Sequence, residues 1–231
     1  MDRIKKRKIF HPALWLFFFF FCFLTPSVFE ARTKQIASVL PSQVSPTIVI
    51  DAGHGGTDRG TKSKAPFCEE KRVCLQTARL VKKHLDQLGY RVVMTRNTDA
   101  FIPLAKRVEI ASQASGSIFV SIHYNSAPNP EAHGIEIFFL DSKQDRLRTS
   151  SSKRLAESIL PGLIHRTNAR SRGTKKGNHY YVIRENAIPA IIIEGGFISN
   201  PQECSLLKSF EYQDQIARGI ADGIDRYFKM G

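Results

Sequence analysis

Four polar side chains that could bind a metal or move a proton stand where predicted strands end or a predicted helix begins. His54 follows the first strand, in the segment Asp-Ala-Gly-His-Gly-Gly, and His123 and Glu194 each end a later apolar strand. A further carboxylate, Glu69 or Glu70, stands at the start of the helix after this glycine-rich segment. In open α/β sheets, sites form at the carboxyl ends of strands. We therefore expect these groups to converge on one edge of the sheet.

Two imidazoles and one carboxylate that leave a fourth position open are a ligand set of catalytic zinc. Such a metal polarises a scissile carbonyl and lowers the pKa of the attacking water. A nearby carboxylate can then pass the water's proton to a leaving amine. With His54, His123 and one of the two glutamates as ligands, Glu194 would be the acid/base. The pattern indicates a zinc-dependent amide hydrolase.

Each of these residues also has a simpler structural explanation. A single histidine after a strand is more often a loop residue than a ligand, and a glutamate at a helix start commonly stabilises the helix dipole, as Glu69 and Glu70 both could. Glu194 is less easily explained in this way, because a carboxylate at a buried strand end is costly without a partner. Four histidines are weaker candidates for a site: His84, His133, His165 and His179.

The elements that must position these residues alternate between strands and helices. Strands are predicted at 47–52, 91–96, 117–123, 134–140 and 189–194, with a short edge strand at 180–184. Helices are predicted at 72–88, 103–114, 150–168 and 212–229. This alternation predicts a single α/β domain. Because the strands are mostly unbroken apolar runs, we expect a mostly parallel or mixed twisted sheet with helices on both faces.

The first part of the chain has the layout of an export signal. A basic segment is followed by the dense apolar run 13–24 and then by small residues, which is typical of a secretory signal peptide. We assign residues 1–27 to the signal peptide, 28–46 to a linker and 47–231 to the catalytic domain. The apolar run is short for a transmembrane helix, but an uncleaved membrane anchor is the alternative. The protein is expected to be exported, periplasmic or in the cell envelope.

The charge balance is strongly basic, with a formal net charge of +13. A basic surface favours anionic partners. Since an exported protein rarely meets nucleic acid, we expect association with an anionic wall polymer or membrane surface instead. Ordinary solubilising charge explains the same balance, and the oligomeric state is left open.

Three cysteines follow the predicted signal peptide: Cys68, Cys74 and Cys204. An odd number leaves at least one unpaired in an oxidising compartment. Cys68 and Cys74 are candidates for pairing because they are close in sequence. A zinc site built from them is not expected, because their spacing is not that of a Cys-x-x-Cys motif.

Four ordered blocks carry a resemblance to a known family. They are residues 48–56 (IVIDAGHGG), 70–75 (EKRVCL), 119–126 (FVSIHYNS) and 193–201 (IEGGFISNP). Supporting segments are Thr95-Arg96 followed by Asp99, and 104–111 with Arg107. Together they resemble the zinc-dependent, division-associated N-acetylmuramoyl-L-alanine amidases of the amidase-3 family, over roughly residues 47–228.

The resemblance implies that His54, Glu70 and His123 bind Zn²⁺ and that Glu194 is the catalytic carboxylate. It selects Glu70 over Glu69, because the family's ligand precedes a lysine, as Glu70 precedes Lys71. It also implies that the substrate is peptidoglycan, cut at the amide between N-acetylmuramic acid and L-Ala of the stem peptide during wall remodelling and cell division. The alternatives are a zinc peptidase that cuts within stem peptides and a wall-binding module without catalysis.

The sequence departs from the family pattern in places. Ala52 replaces a common proline, and Arg72 stands where an acidic or amide residue is usual. Regulated relatives carry a long helical insert that blocks the site before the catalytic glutamate. Segment 134–172 is too short for that additional helix, so we expect a site that is not self-blocked and needs no activator.

Overall fold

The computed structural model describes residues 45–64 and 67–230. The predicted signal peptide (1–27) and the predicted linker up to residue 44 lie outside the described residues. Among the described residues, no helix combines the length and apolar composition needed to cross a membrane.

Strands and helices alternate along the chain. The strands are β1 (Thr47–Ala52), β2 (Lys62–Lys64), β3 (Phe67–Glu69), β4 (Arg91–Met94), β5 (Ile118–Asn125), β6 (Ile135–Phe139), β7 (Ser171–Lys176) and β8 (Ala190–Phe197). The helices are α1 (Glu70–Gln87), α2 (Leu104–Gln113), α3 (Arg146–Thr167), α4 (Tyr181–Arg184), α5 (Pro201–Leu207) and α6 (Phe210–Lys229).

Six strands form one mixed sheet in the order β4-β1-β5-β8-β6-β7. Strands β4, β1, β5 and β8 are parallel, β6 is antiparallel to β8, and β7 is parallel to β6. Strands β2 and β3 form a separate antiparallel hairpin directly before α1. The prediction of a single α/β domain with a mixed sheet is confirmed.

Side chains of the central strands alternate between two cores on opposite faces of the sheet. In β1, Ile48 and Ile50 face a large core that includes residues of α1, α3 and α6, whereas Val49 faces a smaller core that includes residues of α2 and α4. This alternation follows from the two-residue repeat of a strand. Because both faces are covered, β1 is buried along its whole length, which explains its unbroken apolar sequence.

The prediction of an edge strand at 180–184 is wrong, because this segment forms a short helix. The Tyr180 carbonyl accepts hydrogen bonds from the amides of Ile183 and Arg184, and Val182 and Ile183 are buried in the smaller core. The aromatic and branched residues suggested a strand, but their contacts favour a helical turn. The edge strand is β7, which the sequence analysis missed, as it missed the β2–β3 hairpin and α5.

The three cysteines of the described residues are buried and form no disulfide. The thiol of Cys68 in β3 is hydrogen-bonded to Cys204 of α5, and burial followed by the influence of Cys204 raises the pKa of Cys68 to about 12. The suggested pairing of Cys68 with Cys74 is therefore wrong. Cys74 lies on α1 and faces the large core.

Helices α3 and α6 approach closely because glycines line their contact. A Cβ atom added at Gly223 would collide with the Cα of Ile159 and lie 2.8 Å from its Cγ1. A second close approach joins Gly219 to Leu163 and Gly162. The interface thus tolerates no side chain at these positions without a shift of one helix.

Replacing Gly223 with alanine should destabilise the protein. Overpacking against a neighbouring backbone costs about 1–3 kcal/mol, while the better helix propensity of alanine returns about 1 kcal/mol. Because the added Cβ would meet the backbone of Ile159 rather than a movable side chain, we expect the upper part of this range and a net loss of about 2 kcal/mol in urea unfolding. The control is Gln215→Ala, at an exposed position of the same helix, which should change stability by less than about 0.5 kcal/mol. A Gly223→Ala variant as stable as the parent would contradict the close packing.

Candidate active site

Three of the four candidate residues meet at the carboxyl edge of the sheet. The His54 Nε2 atom lies 2.9 Å from Glu70 Oε1, and His123 Nδ1 lies 3.1 Å from both of these atoms. The two imidazole rings are nearly perpendicular, at 77°, with centroids 4.7 Å apart. Two nitrogens and one carboxylate oxygen therefore face a common point.

This cluster fits a bound zinc ion by its chemistry and its spacing. Bonds of about 2.0–2.1 Å in tetrahedral geometry set neighbouring ligand atoms about 3.3 Å apart. The three observed separations are close to that value, and all three atoms belong to residue types that bind zinc. His54, Glu70 and His123 could hold the metal and leave its fourth position open toward the cleft.

The loop after β1 presents His54 through an uncommon backbone conformation. His54 has a φ of 57° and is followed by two glycines that also have positive φ, a region that residues with a Cβ atom rarely adopt. The Nδ1 atom of His54 lies 2.8 Å from Asp58 Oδ2. A proton on Nδ1 donated to this carboxylate leaves Nε2 free as a ligand, an arrangement common around zinc-binding histidines.

His123 projects from β5 and packs directly against Gly53. A Cβ atom at Gly53 would lie 2.7 Å from the Nδ1 atom of His123 and still closer to its Cε1 and Nε2 atoms. The φ of Gly53 is not in the left-handed region. Glycine is therefore needed here for the space that the imidazole occupies.

Glu70 is the member of the glutamate pair that joins the cluster. Its Oε2 accepts a hydrogen bond from the Thr61 amide at 2.8 Å, and its Oε1 accepts one from the Tyr124 amide at 3.2 Å. Burial works to raise the pKa of Glu70, but hydrogen bonds from His123 and His54 outweigh it and hold the pKa well below its usual range. Glu69 instead pairs with Arg72 at 3.0 Å and belongs to a separate ion pair.

Two buried arginines fix the backbone of the His54 loop. Arg96 donates to the carbonyls of Ala52 at 2.9 Å and Gly53 at 2.6 Å. Arg107 donates to the carbonyls of Ala52 at 2.7 Å and His54 at 2.8 Å. Buried carbonyls without partners are costly, so these guanidinium groups stabilise a turn that the strand ladder cannot.

Asp51 supplies the charge that balances Arg107. Its carboxylate accepts hydrogen bonds of 2.6 Å from Arg107, Thr95 and Ser121. Burial works to raise the pKa of Asp51, but Arg107 and the two hydroxyl groups outweigh it and lower the pKa. The Asp51 carboxylate thus holds together α2, β5 and the residue after β4. Because it is engaged in these hydrogen bonds, Asp51 is not a candidate metal ligand.

Glu194 lies beside His123 in the register of β5 and β8. It is almost fully buried, and its Oε2 has no hydrogen-bond partner among the described residues. Burial, followed by the negative charges of Glu70 and Glu136, raises the pKa of Glu194 well above its usual value. A buried carboxyl group of this kind can take up and release a proton.

The cleft above the cluster has a volume of about 300 Å³ and mostly apolar walls. Its polar floor carries His54, His123 and Glu194. One wall comes from the loop before α2 and the other from α4 and the residue before it. The wall residues are Phe101, Ile102 and Leu104 on one side and Tyr180, Tyr181 and Val182 on the other.

The sequence also matches a known family over most of its length. The family model Amidase_3, described as N-acetylmuramoyl-L-alanine amidase, matches residues 48–226. The chain belongs to the N-acetylmuramoyl-L-alanine amidase family. The match contains the cluster of His54, Glu70 and His123 and also Glu194, which lines the cleft with the two histidines.

Relatives of this amidase-family chain include wall enzymes that are longer than it is. It is 34% identical to the N-acetylmuramoyl-L-alanine amidase LytC of Bacillus subtilis over 205 residues, covering 89% of the chain and 39% of LytC. It is 33% identical to the probable cell wall amidase LytH of Staphylococcus epidermidis, covering 79% of the chain and 58% of LytH. The chain thus spans less than two thirds of the length of these relatives.

A solved structure has the same fold. The catalytic domain of CwlV, an N-acetylmuramoyl-L-alanine amidase from Bacillus (Paenibacillus) polymyxa, is 35% identical with a TM-score of 0.73. The alignment covers 80% of this chain and 99% of the CwlV domain.

Several residues of the amidase-family site were missed by sequence reasoning. Asp58 follows His54 by four residues, and a carboxylate so close to a ligand candidate was a signal that could have been used. Arg96 and Arg107 were noted only as parts of supporting segments. Their role depends on contacts across more than 40 residues of sequence. The weaker histidines lie outside the cluster, and His84 is paired with Asp214.

Removing the Asp58 carboxylate should weaken zinc binding without removing a ligand. In Asp58→Ala, Nδ1 of His54 loses its acceptor, and outer-shell changes of this kind cost about 10- to 100-fold in metal affinity. Competition with a zinc-chelating dye measures the dissociation constant. Thr57→Ala, an exposed position in the same loop, should leave it unchanged. Equal zinc affinity of the Asp58→Ala variant and the parent protein would show that Asp58 does not orient His54.

Proposed function

We propose that this protein is a zinc-dependent amidase that hydrolyses the bond between the lactyl group of N-acetylmuramic acid and L-Ala of peptidoglycan stem peptides. The observation that carries the proposal is the convergence of His54 Nε2, Glu70 Oε1 and His123 Nδ1 to about 3 Å of one another. Beside them lies Glu194, whose Oε2 has no hydrogen-bond partner in the described part of the chain. Family membership supports the choice of substrate.

The residues of the cleft have different roles in hydrolysis. Zinc, when held by His54, Glu70 and His123, supplies a Lewis acid for the carbonyl oxygen and lowers the pKa of the attacking water. Glu194 accepts the proton of that water through its free Oε2. It then donates the proton to the nitrogen of L-Ala, so that the amine can leave.

The walls of the cleft suit this substrate. The scissile amide is flanked by two methyl groups, one on the lactyl side and one on alanine. Apolar side chains on both sides of the polar floor can cover these methyl groups, since removing apolar surface from water is favourable. Charged groups of the stem peptide would lie farther out, where the cleft opens.

The site would act without an activator. Within the described part of the chain, segment 134–172 forms β6, α3 and the start of β7. Helix α3 packs against α6, and no residue of this segment lines the cleft. This supports the proposal that the cleft is not self-blocked.

The substrate requires a location in the cell envelope. The similarity to LytH, which is named a probable cell wall amidase, supports this location, and the predicted signal peptide supplies a route. The net charge of +13 supports binding to anionic wall or membrane surfaces. A role in wall remodelling and cell division is the proposed physiological setting.

Digestion of isolated peptidoglycan by the purified full-length protein tests the activity. Mass spectrometry should detect intact stem peptides that begin with L-Ala, together with peptide-free glycan. No added partner protein should be required. A chelator should abolish release, and added Zn²⁺ should restore it.

The other outcomes of the digest point to different functions. Products cut within the stem peptide would indicate a peptidase. Binding to peptidoglycan without any cleavage would indicate a wall-binding module. Activity that appears only with a partner protein would contradict the proposed open site.

A Glu194→Gln substitution should separate catalysis from metal binding. The amide cannot take up the water's proton, and acid–base groups of this kind contribute about 10²- to 10⁴-fold to the rate. Turnover should fall by this factor while zinc content and peptidoglycan binding stay unchanged. Glu131→Gln, at an exposed site outside the cleft lining, is the matched control. Full turnover by the Glu194→Gln variant would show that Glu194 is not the acid/base of the reaction.

A further inference from the structure

Tyr180 lines the cleft beside His54, His123 and Glu194, yet the proposed mechanism gives it no task. Its ring is half-buried and packs against Phe138, with centroids 5.1 Å apart, and against His179 at 4.0 Å. Among the described residues, no hydrogen bond occupies its hydroxyl group. A fixed aromatic ring thus carries a free hydroxyl group at the cleft.

The pairing of β6 with β8 places the Tyr180 ring next to the residue pair that contains Glu194. Phe138 pairs with Ile192, and two residues along the strands Glu136 pairs with Glu194. Residues two apart in a strand share a face of the sheet, so the two pairs are neighbours on one face. Tyr180 packs on Phe138 and lines the cleft together with Ile192 and Glu194.

The electrostatics of Tyr180 agree with this placement. Burial, and then the negative charges of Glu194, Glu136 and Glu70, raise its pKa to about 12. Of these acidic groups, Glu194 lines the same cleft as Tyr180. A phenol in this environment keeps its proton at neutral pH and acts as a hydrogen-bond donor.

The backbone before α4 holds Tyr180 in place. Its amide donates to the Gly177 carbonyl at 2.9 Å, and the Gly177 amide donates to the carbonyl of Phe139 at 2.8 Å. A Cβ atom at Gly177 would lie 2.8 Å from the Cβ of Phe138, so this tight turn requires glycine. Donors fixed in advance stabilise charge without the cost of reorganisation.

Few other donors are available in the cleft. Arg107 also lines it, but this side chain is committed to Asp51 and to the carbonyls of Ala52, His54 and Ile102. The imidazoles of the cluster are assigned to the metal. Tyr181 lines the cleft as well, but its ring packs against the guanidinium group of Arg184, which lies 5.7 Å from the ring centroid.

We propose that Tyr180 is a catalytic residue, whose hydroxyl group donates a hydrogen bond to the carbonyl oxygen of the scissile amide as that oxygen gains negative charge. This inference rests on the proposed amidase function. The hydroxyl group keeps its proton throughout the reaction. The proton of the attacking water passes to Glu194 and then to the leaving nitrogen, while the C–N bond breaks and a C–O bond forms.

A Tyr180→Phe substitution tests the inference, because it removes one oxygen atom and keeps the ring that packs against Phe138. Loss of one such donor lowers kcat by about 10²- to 10³-fold. With muropeptides as substrate, kcat and kcat/KM should fall together and KM should stay nearly constant, since the interaction forms only in the transition state. Zinc content and the thermal unfolding midpoint should match those of the parent protein.

Tyr90→Phe is the matched control. The pKa of Tyr90 is also raised to about 12, but its hydroxyl group donates to Asp225 at 2.9 Å and Tyr90 does not line the cleft. This variant should keep full turnover.

A binding measurement gives a readout that does not depend on turnover. A muropeptide in which a tetrahedral phosphinate replaces the scissile carbonyl mimics the transition state. Calorimetry should show that Tyr180→Phe weakens its binding by about the same factor as kcat, while the binding of the released stem peptide is unchanged.

Two results would overturn this assignment while leaving the amidase function intact. One is a Tyr180→Phe enzyme with parental kcat and parental phosphinate affinity. The other is a loss of turnover fully accounted for by lost zinc or lost folded protein. If the parent protein itself releases no stem peptide, the proposed function fails and this inference fails with it.

Discussion

Two buried guanidinium groups stabilise the turn on which the site depends. At the end of β1 the chain turns away from the sheet, and Ala52 and Gly53 are buried while His54 is partly buried. Arg96 and Arg107 donate to the carbonyls of all three. An unsatisfied buried carbonyl costs about 1–3 kcal/mol, so this turn would be unstable without them. Because His54 follows this turn with a φ of 57°, its position depends on the same contacts.

The two arginines also connect the turn to the neighbouring elements. Arg107 belongs to α2 on the smaller core, and its charge is balanced by Asp51, which in turn holds Ser121 of β5. Arg96 follows β4 and reaches the carbonyl of Lys71 in α1, one residue beyond Glu70. The helix that begins with Glu70 and the strand that carries His123 are thereby held to one loop. A zinc site needs this kind of support, because its ligands come from distant parts of the chain.

Much of the framework could be predicted from local patterns, because the central strands are buried on both faces and carry unbroken apolar runs. The placement of His54 after β1, and of His123 and Glu194 near the carboxyl ends of their strands, followed from that framework, although β5 continues to Asn125 and β8 to Phe197. The choice between Glu69 and Glu70 did not follow, since both fit a helix start. The family resemblance selected Glu70, and the tertiary contacts give the physical reason, with Glu69 held by Arg72 and Glu70 hydrogen-bonded to the imidazoles.

The errors occurred where tertiary contacts outweigh local preference. Strand β7 has the polar sequence SRGTKK and lies at the edge of the sheet, so it carries no apolar alternation. The segment after it is rich in aromatic and branched residues, but it caps the smaller core as a helical turn. Sequence reasoning therefore assigned the strand to the wrong segment and gave no role to Tyr180. The location of this side chain depends on the pairing of β6 with β8, which no local pattern reveals.

Charge compensation distinguishes the carboxylates of the site. Glu136 is neutralised by Arg172 and Lys175, each at 2.7 Å, and Glu70 by the two imidazoles, so burial does not keep either from ionising. The pKa of both is lowered. Glu194 forms no ion pair with any residue that the structure describes, and burial together with the charges of Glu70 and Glu136 raises its pKa. When environments push the pKa values of neighbouring carboxyl groups apart, the groups take different roles. An ionised Glu70 suits a metal ligand, whereas the uncompensated Glu194 suits a group that must gain and lose a proton within one turnover.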